Sequence, residues 1–178
     1  MEVPDSRLSA ATFEDLAVPL FDQLYNFARW LTQDSAEAED LVQETYVKAL
    51  RGFSGFQMGT NFRAWIFRIL RNAFLNSRAG LKMVALDAGE EEPASDAPSP
   101  EAVLVAQTNR EVVRDALTEL AIPHREILLL CEVEEMSYEE IAQVLAIPTG
   151  TVMSRLYRAR KALRTILLGK LQGGSHGV

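Results

Sequence analysis

Cysteine is all but missing from this chain: one residue of 178, Cys131, carries a thiol, and only His124 and His176 carry imidazoles. A single thiol excludes an intrachain disulfide framework, and one Cys with two scattered His falls short of a tetrahedral zinc site. No apolar run approaches the roughly 20 uninterrupted residues that a membrane-spanning helix needs. The opening residues, Met1 to Asp5, lack the basic and apolar regions of a secretory signal, which places the expected site of action in the cytoplasm. There is no Ser–His–Asp constellation and no phosphate-cradling glycine loop, so neither a cofactor nor an active site is expected. What is there is an ordinary globular composition, 48% hydrophobic and 24% charged, with a net charge of −7.

Acids are absent from two long stretches, and this matters more than the net charge. Between Thr45 and Leu86 there is no Asp or Glu, against Lys48, Arg51, Arg63, Arg68, Arg71, Arg78 and Lys82. Between Thr149 and Gln172 there is again none, against Arg155, Arg158, Arg160, Lys161, Arg164 and Lys170. The acids gather instead at 34–44, at 87–101 and at 132–140. Segregation of this kind suggests two surfaces that face a polyanion and separate acidic faces with another task.

Residues 87–100 are acidic, hold three prolines and offer little to bury, so they read as a flexible linker. Apolar periodicity on both sides is helical, and no segment alternates as a strand does. The fold class is therefore all-α. Two small helical domains are expected, an N-terminal bundle over 1–86 and a C-terminal helix-turn-helix unit over 101–172, joined by the acidic, Pro-containing linker and followed by a tail at 173–178.

In the first unit Leu16, Leu20, Leu24, Phe27 and Leu31 form a core stripe. Asp34, followed by Glu37, predicts a helix start whose buried side is Ala38, Leu41, Val42, Thr45, Ala49 and Leu50. Thr60 or Asn61 can cap a third helix running to about Arg78. That helix sets Phe62, Ile66, Ile69, Leu70 and Ala73 on one side and Arg63, Phe67, Arg71, Phe74 and Arg78 on another. Cations beside rings suit single-stranded nucleic acid, since phosphates take the charge and unpaired bases stack on the rings. The plainer alternative is that both Phe are core.

The second unit opens with a helix carrying Val113, Ala116, Leu117 and Leu120 and restarts at Pro123. Ser137 and Glu140 have the spacing of a capping box. After a turn containing Pro148 and Gly150, a last helix sets Val152, Leu156, Ala159, Leu163 and Ile166 inward and Ser154, Tyr157, Arg158 and Lys161 outward. A short capped helix, a turn and a helix basic on its outer face make a helix-turn-helix, whose second helix fits the major groove of duplex DNA.

Ser137-Tyr138-Glu139-Glu140-Ile141-Ala142, followed by the run from Gly150 to Arg160, closely resembles the C-terminal domain of bacterial extracytoplasmic-function sigma factors. The runs Asp40 to Tyr46 and Trp65 to Asn72 resemble that family's N-terminal domain. The likeness extends over about 13–168 in the family's order, with one departure, Ala146, where many helix-turn-helix units carry glycine.

The resemblance implies that the protein binds core RNA polymerase and directs it to promoters. Asp40, Leu41, Gln43 and Glu44 would meet the clamp coiled coil of the β′ subunit, with the β flap as a further polymerase contact. Gly59, Thr60, Asn61, Phe62, Arg63, Trp65, Arg71 and Asn72 would capture the −10 element of promoter DNA as a separated strand. Trp65 is equally readable as plain core. Arg125, Tyr138, Thr149, Thr151, Met153, Ser154, Arg155, Tyr157, Arg158 and Lys161 would read or hold the −35 duplex. An anti-sigma factor is a further partner the family implies. The competing expectation is a stand-alone helix-turn-helix regulator that binds duplex DNA as a symmetric dimer. A redox role for Cys131 competes with that of an inert thiol in an apolar helical run.

Overall fold

The computed structural model describes residues 11–78 and 110–173, and every regular element among them is helical. The expected linker at 87–100 lies outside the described residues, as does the tail beyond Gly173.

Local side-chain chemistry places the helix starts. Helix α1 (Phe13–Ala17) opens with a capping box in which Thr12 Oγ1 accepts from the Asp15 amide and Asp15 accepts from the Thr12 amide. The expected first stripe is not one continuous helix. Pro19 has no amide proton to donate, and the chain passes through a tight 3₁₀ turn at Val18–Leu20 before α2 (Phe21–Thr32) begins. Leu24, Phe27 and Leu31 are buried as the stripe requires. Asp34 caps α3 (Ser35–Gly52) by accepting from Glu37 N at 2.8 Å, and Asn61 caps α4 (Phe62–Ser77) by accepting from Ala64 N at 2.9 Å. Thr60, the other candidate cap, donates its hydroxyl to Gln57 O instead.

The second unit holds α5 (Arg110–Glu119), α6 (Ile122–Leu128), α7 (Tyr138–Leu145) and α8 (Thr149–Gly173). Pro123 sits in the first turn of α6, where a missing amide proton costs nothing. Helix α6 runs on into a wider π-turn at Leu129–Val133, in which Glu134 N reaches back to Leu129 O at 3.0 Å. Ser137 and Glu140 form the expected capping box at the start of α7. On α8, Val152, Leu156, Ala159 and Leu163 point inward, and Leu167 rather than Ile166 fills the last inward position.

The buried side chains of the two units form one continuous cluster, because α4 packs against α2 and α3 on one side and against α7 on another. This overturns the reading of Phe67 and Phe74 as stacking platforms for bases. Phe67 is fully buried with its ring 5.4 Å from that of Phe27, and Phe74 is 1% exposed. Arg63 and Arg78 lie over these rings at 5.6 and 5.0 Å, so cation–π contact accounts for the interleaving seen in the sequence. A helix covered on two sides is apolar on two sides.

Candidate nucleic-acid interface

The acidic face of α3 is open. Asp40, Gln43 and Glu44 are exposed, and Glu44 holds Lys48 at 2.6 Å in a pair that is itself about half exposed and so contributes little to stability. Leu41 does not share that face: at 5% exposure it belongs to the core and acts only by fixing the helix that carries its neighbours.

The turn before α4 is built by aromatic packing. Phe62 is buried against Phe13, Phe53, Phe56 and Trp65, with ring centroids 5.3–6.2 Å apart. Gly59 takes φ +87, a conformation that side chains rarely adopt. A cleft of about 250 Å³ opens here, lined by Gly55, Phe56, Gln57, Thr60, Asn61, Ala64, Trp65 and Arg68 and, from the second unit, by Gln143. Trp65 therefore both packs and lines. Arg68, Phe56 and Gln57 were not singled out from the sequence; Arg68 stood in the acid-free stretch but carried nothing to separate it from the other bases. Asn72 is exposed further along α4.

Three of the expected strand contacts are engaged by the second unit. Asn61 Nδ2 donates to Glu140 Oε1 at 2.8 Å. Arg63 Nη2 donates to Glu134 O at 2.6 Å and to its carboxylate at 3.2 Å, while Arg63 Nε donates to Gln23. Arg71 forks onto Glu126 through two bonds of 3.1 Å, with the two side chains 13% and 1% exposed. Burial pushes the Glu126 carboxyl above its ordinary pKa, and the Arg71 charge pulls against that shift. The sequence suggested an acidic face with a task of its own near 132–140, yet Glu134 and Glu140 turn inward toward α4.

On the helix-turn-helix, Met153 and Tyr157 are exposed, as are Thr149 and Lys161. Thr151, Ser154, Arg158 and Tyr138 are half-buried, and Ser154 Oγ donates to Thr151 O at 3.1 Å. Arg155 turns toward the other unit: its Nε is buried without a hydrogen-bond partner, and the charges of Glu126 and Arg71 both act on it. The turn between α7 and α8 places Ala146 at φ 54, ψ 46, in the left-handed region that glycine favours.

Arg125 does not stand where a phosphate contact would. It is 7% exposed and donates to Leu117 O, Thr118 O and Leu120 O at 2.7–3.0 Å, and to Leu31 O of the first unit at 3.5 Å. The last carbonyls of α5 have no amide of their own helix to bind, and a buried guanidinium satisfies them. Cys131 is half-buried with its thiol pushed up by burial and by the nearby Glu132 carboxylate, which holds it protonated and argues against a reactive role.

An acidic helix and a base-edged cleft on one unit, with a basic-faced helix-turn-helix on the other, define a two-module DNA-binding transcription protein. Residues 19–82 match sigma-70 region 2, and residues 110–163 match sigma-70 region 4. The chain belongs to the extracytoplasmic-function (ECF) RNA polymerase sigma factors. It is 34% identical over 168 residues to the ECF RNA polymerase sigma factor SigE of Mycolicibacterium smegmatis, covering 88% of this chain and 65% of that relative's length. It is 31% identical to the RNA polymerase sigma factor YlaC of Bacillus subtilis, covering 86% of this chain and 90% of that one. Among solved structures it is similar to the sigma factor RpoE of Bartonella quintana, determined in complex with the anti-sigma factor NepR. The TM-score is 0.64 and the identity 31%, over 86% of this chain and 97% of that one.

Proposed function

We propose that this protein acts in the cytoplasm as a promoter-specificity subunit that docks on core RNA polymerase, reads a −35 duplex and captures the −10 element as a separated strand. The exposed acids and amide of α3, Asp40, Gln43 and Glu44, are the polymerase contacts. The cleft edged by Thr60, Asn61, Trp65 and Arg68 receives an unstacked base of the −10 strand, with Arg63, Arg71 and Asn72 along its backbone. Helix α8 lies in the major groove, where Met153, Ser154, Tyr157 and Arg158 face base edges and Lys161 a phosphate. An anti-sigma factor is the further partner, a reading supported by the solved relative bound to one.

The observation that carries this reading is the pairing, on separate units, of an exposed acidic helix with an exposed basic one. A protein that only bound DNA would gain nothing from the first. Reconstituted transcription with core RNA polymerase on a promoter-fragment library tests it. Specific starts are expected with the native chain and none with the Asp40→Lys, Glu44→Lys variant. Absence of starts, together with tight binding of naked duplex by the protein alone, would overturn the reading in favour of a stand-alone regulator.

A further inference from the structure

Three of the side chains that would hold the −10 strand, Asn61, Arg63 and Arg71, are each engaged by the second unit of the chain. Glu126, Glu134 and Glu140 are spread over α6, the segment after the π-turn and the first turn of α7, yet all three meet α4 or its cap. A carboxylate and a phosphate present the same fork to a guanidinium, so the two-bond contact of Arg71 with Glu126 has the geometry of an Arg–phosphate contact. Gln143, an amide with a base-like donor and acceptor pair, lies at the cleft proposed to take an unstacked base.

We propose that this edge of the second unit is an intramolecular competitor of the −10 strand. Its carboxylates occupy the strand's phosphate positions on Arg63 and Arg71 and tie up Asn61 at the edge of the base cleft, and the closed chain is self-occluded. The inference rests on the assignment of the −10 surface made above. Its energetics suit a switch. A buried ion pair contributes little net stability, because desolvation of both charges offsets their attraction, yet removal of one partner strands the other. Closure is therefore readily exchanged for a partner that offers Arg71 and Arg63 an equivalent anion.

Pulsed spin-label distance measurements on the full-length chain, with labels at Glu39→Cys and Thr165→Cys in a Cys131→Ser background, read closure directly; both label positions are exposed. Binding is read in parallel by the anisotropy of a fluorescent pool of random-sequence single-stranded DNA dodecamers. The native chain is expected to show a single short distance. Glu126→Gln with Glu134→Gln should move the population to longer distances and bind the pool at least about fivefold more tightly than Glu135→Gln with Glu139→Gln, a control with the same change in net charge. Asn61→Asp keeps an equally good helix cap but sets a carboxylate against Glu140, so it should open the chain even if the first variant folds poorly. Unchanged distances in both opening variants would overturn the occlusion. Opening with no gain over the control in DNA binding would overturn instead the −10 assignment beneath it.

Discussion

Ala146 is where the backbone of the helix-turn-helix turns, and an L-residue there is strained. At φ 54, ψ 46 its Cβ crowds the following carbonyl, at about 1–2 kcal/mol for a residue other than glycine. Replacement by glycine removes that strain but loosens the unfolded chain, which costs about 0.4–1 kcal/mol. The side chain is exposed, so no apolar contact is lost, and the bond from Ala146 N to Ala142 O involves backbone alone. The central values give a gain of about 0.8 kcal/mol for Ala146→Gly. With a urea slope near 2 kcal/mol per molar, the midpoint should rise by about 0.25–0.5 M. Far-UV circular dichroism through a urea titration measures it, and native-state hydrogen exchange should locate the added protection in α7 and α8. A midpoint that stays put or falls would refute the strain argument and leave the alanine as a comfortable occupant of the turn.

Two other perturbations are as definite. Phe67→Ala should lower stability by about 3–5 kcal/mol, since the ring is fully buried against Phe27; a urea-measured loss below about 1 kcal/mol would mean that this face is open to solvent. Burial lowers the His124 pKa below its usual 6.5, and the nearby charges of Arg158 and Arg155 act in the same direction. The fold thus favours the neutral ring, whose contribution is full above about pH 6.5 and fades as pH falls toward the depressed native value. The second unit should lose stability as pH falls below about 6.5, His124→Gln should flatten that slope in thermal melts, and an unchanged slope would count against the assignment.

What the sequence made legible was local. Asp34, Asn61 and Ser137 each cap a helix through a backbone amide three residues on, and such a bond needs nothing beyond its own segment. The amphipathic pattern of α8 was readable for the same reason, since only one of its faces meets the core. What escaped was set by partners far along the chain. Phe67 and Phe74 share a helical face with three arginines, and nothing short of α2 and α7 packing on α4 says that this face is covered. Arg125 is chemically the same residue as a surface cation, and only the carbonyls of Leu117, Thr118 and Leu120, 5–8 residues earlier where α5 ends, make it a buried strut. The inward turn of Glu134 follows a π-turn that the pattern of residues did not announce. The break that Pro19 makes between α1 and α2 was hidden by an apolar stripe that keeps its helical spacing across it.

The position of Arg155 carries a consequence for how the two promoter elements communicate. This arginine belongs to the helix that would read one element, yet it lies near enough to the Arg71–Glu126 pair, which covers the surface for the other, to feel both charges. A strand that takes Arg71 from Glu126 would thereby also change the charges that Arg155 faces. Whatever factor binding at one site imposes on the other, linkage requires the same factor in both directions. Coupling between two DNA elements would then arise within one chain with no contact between the elements themselves.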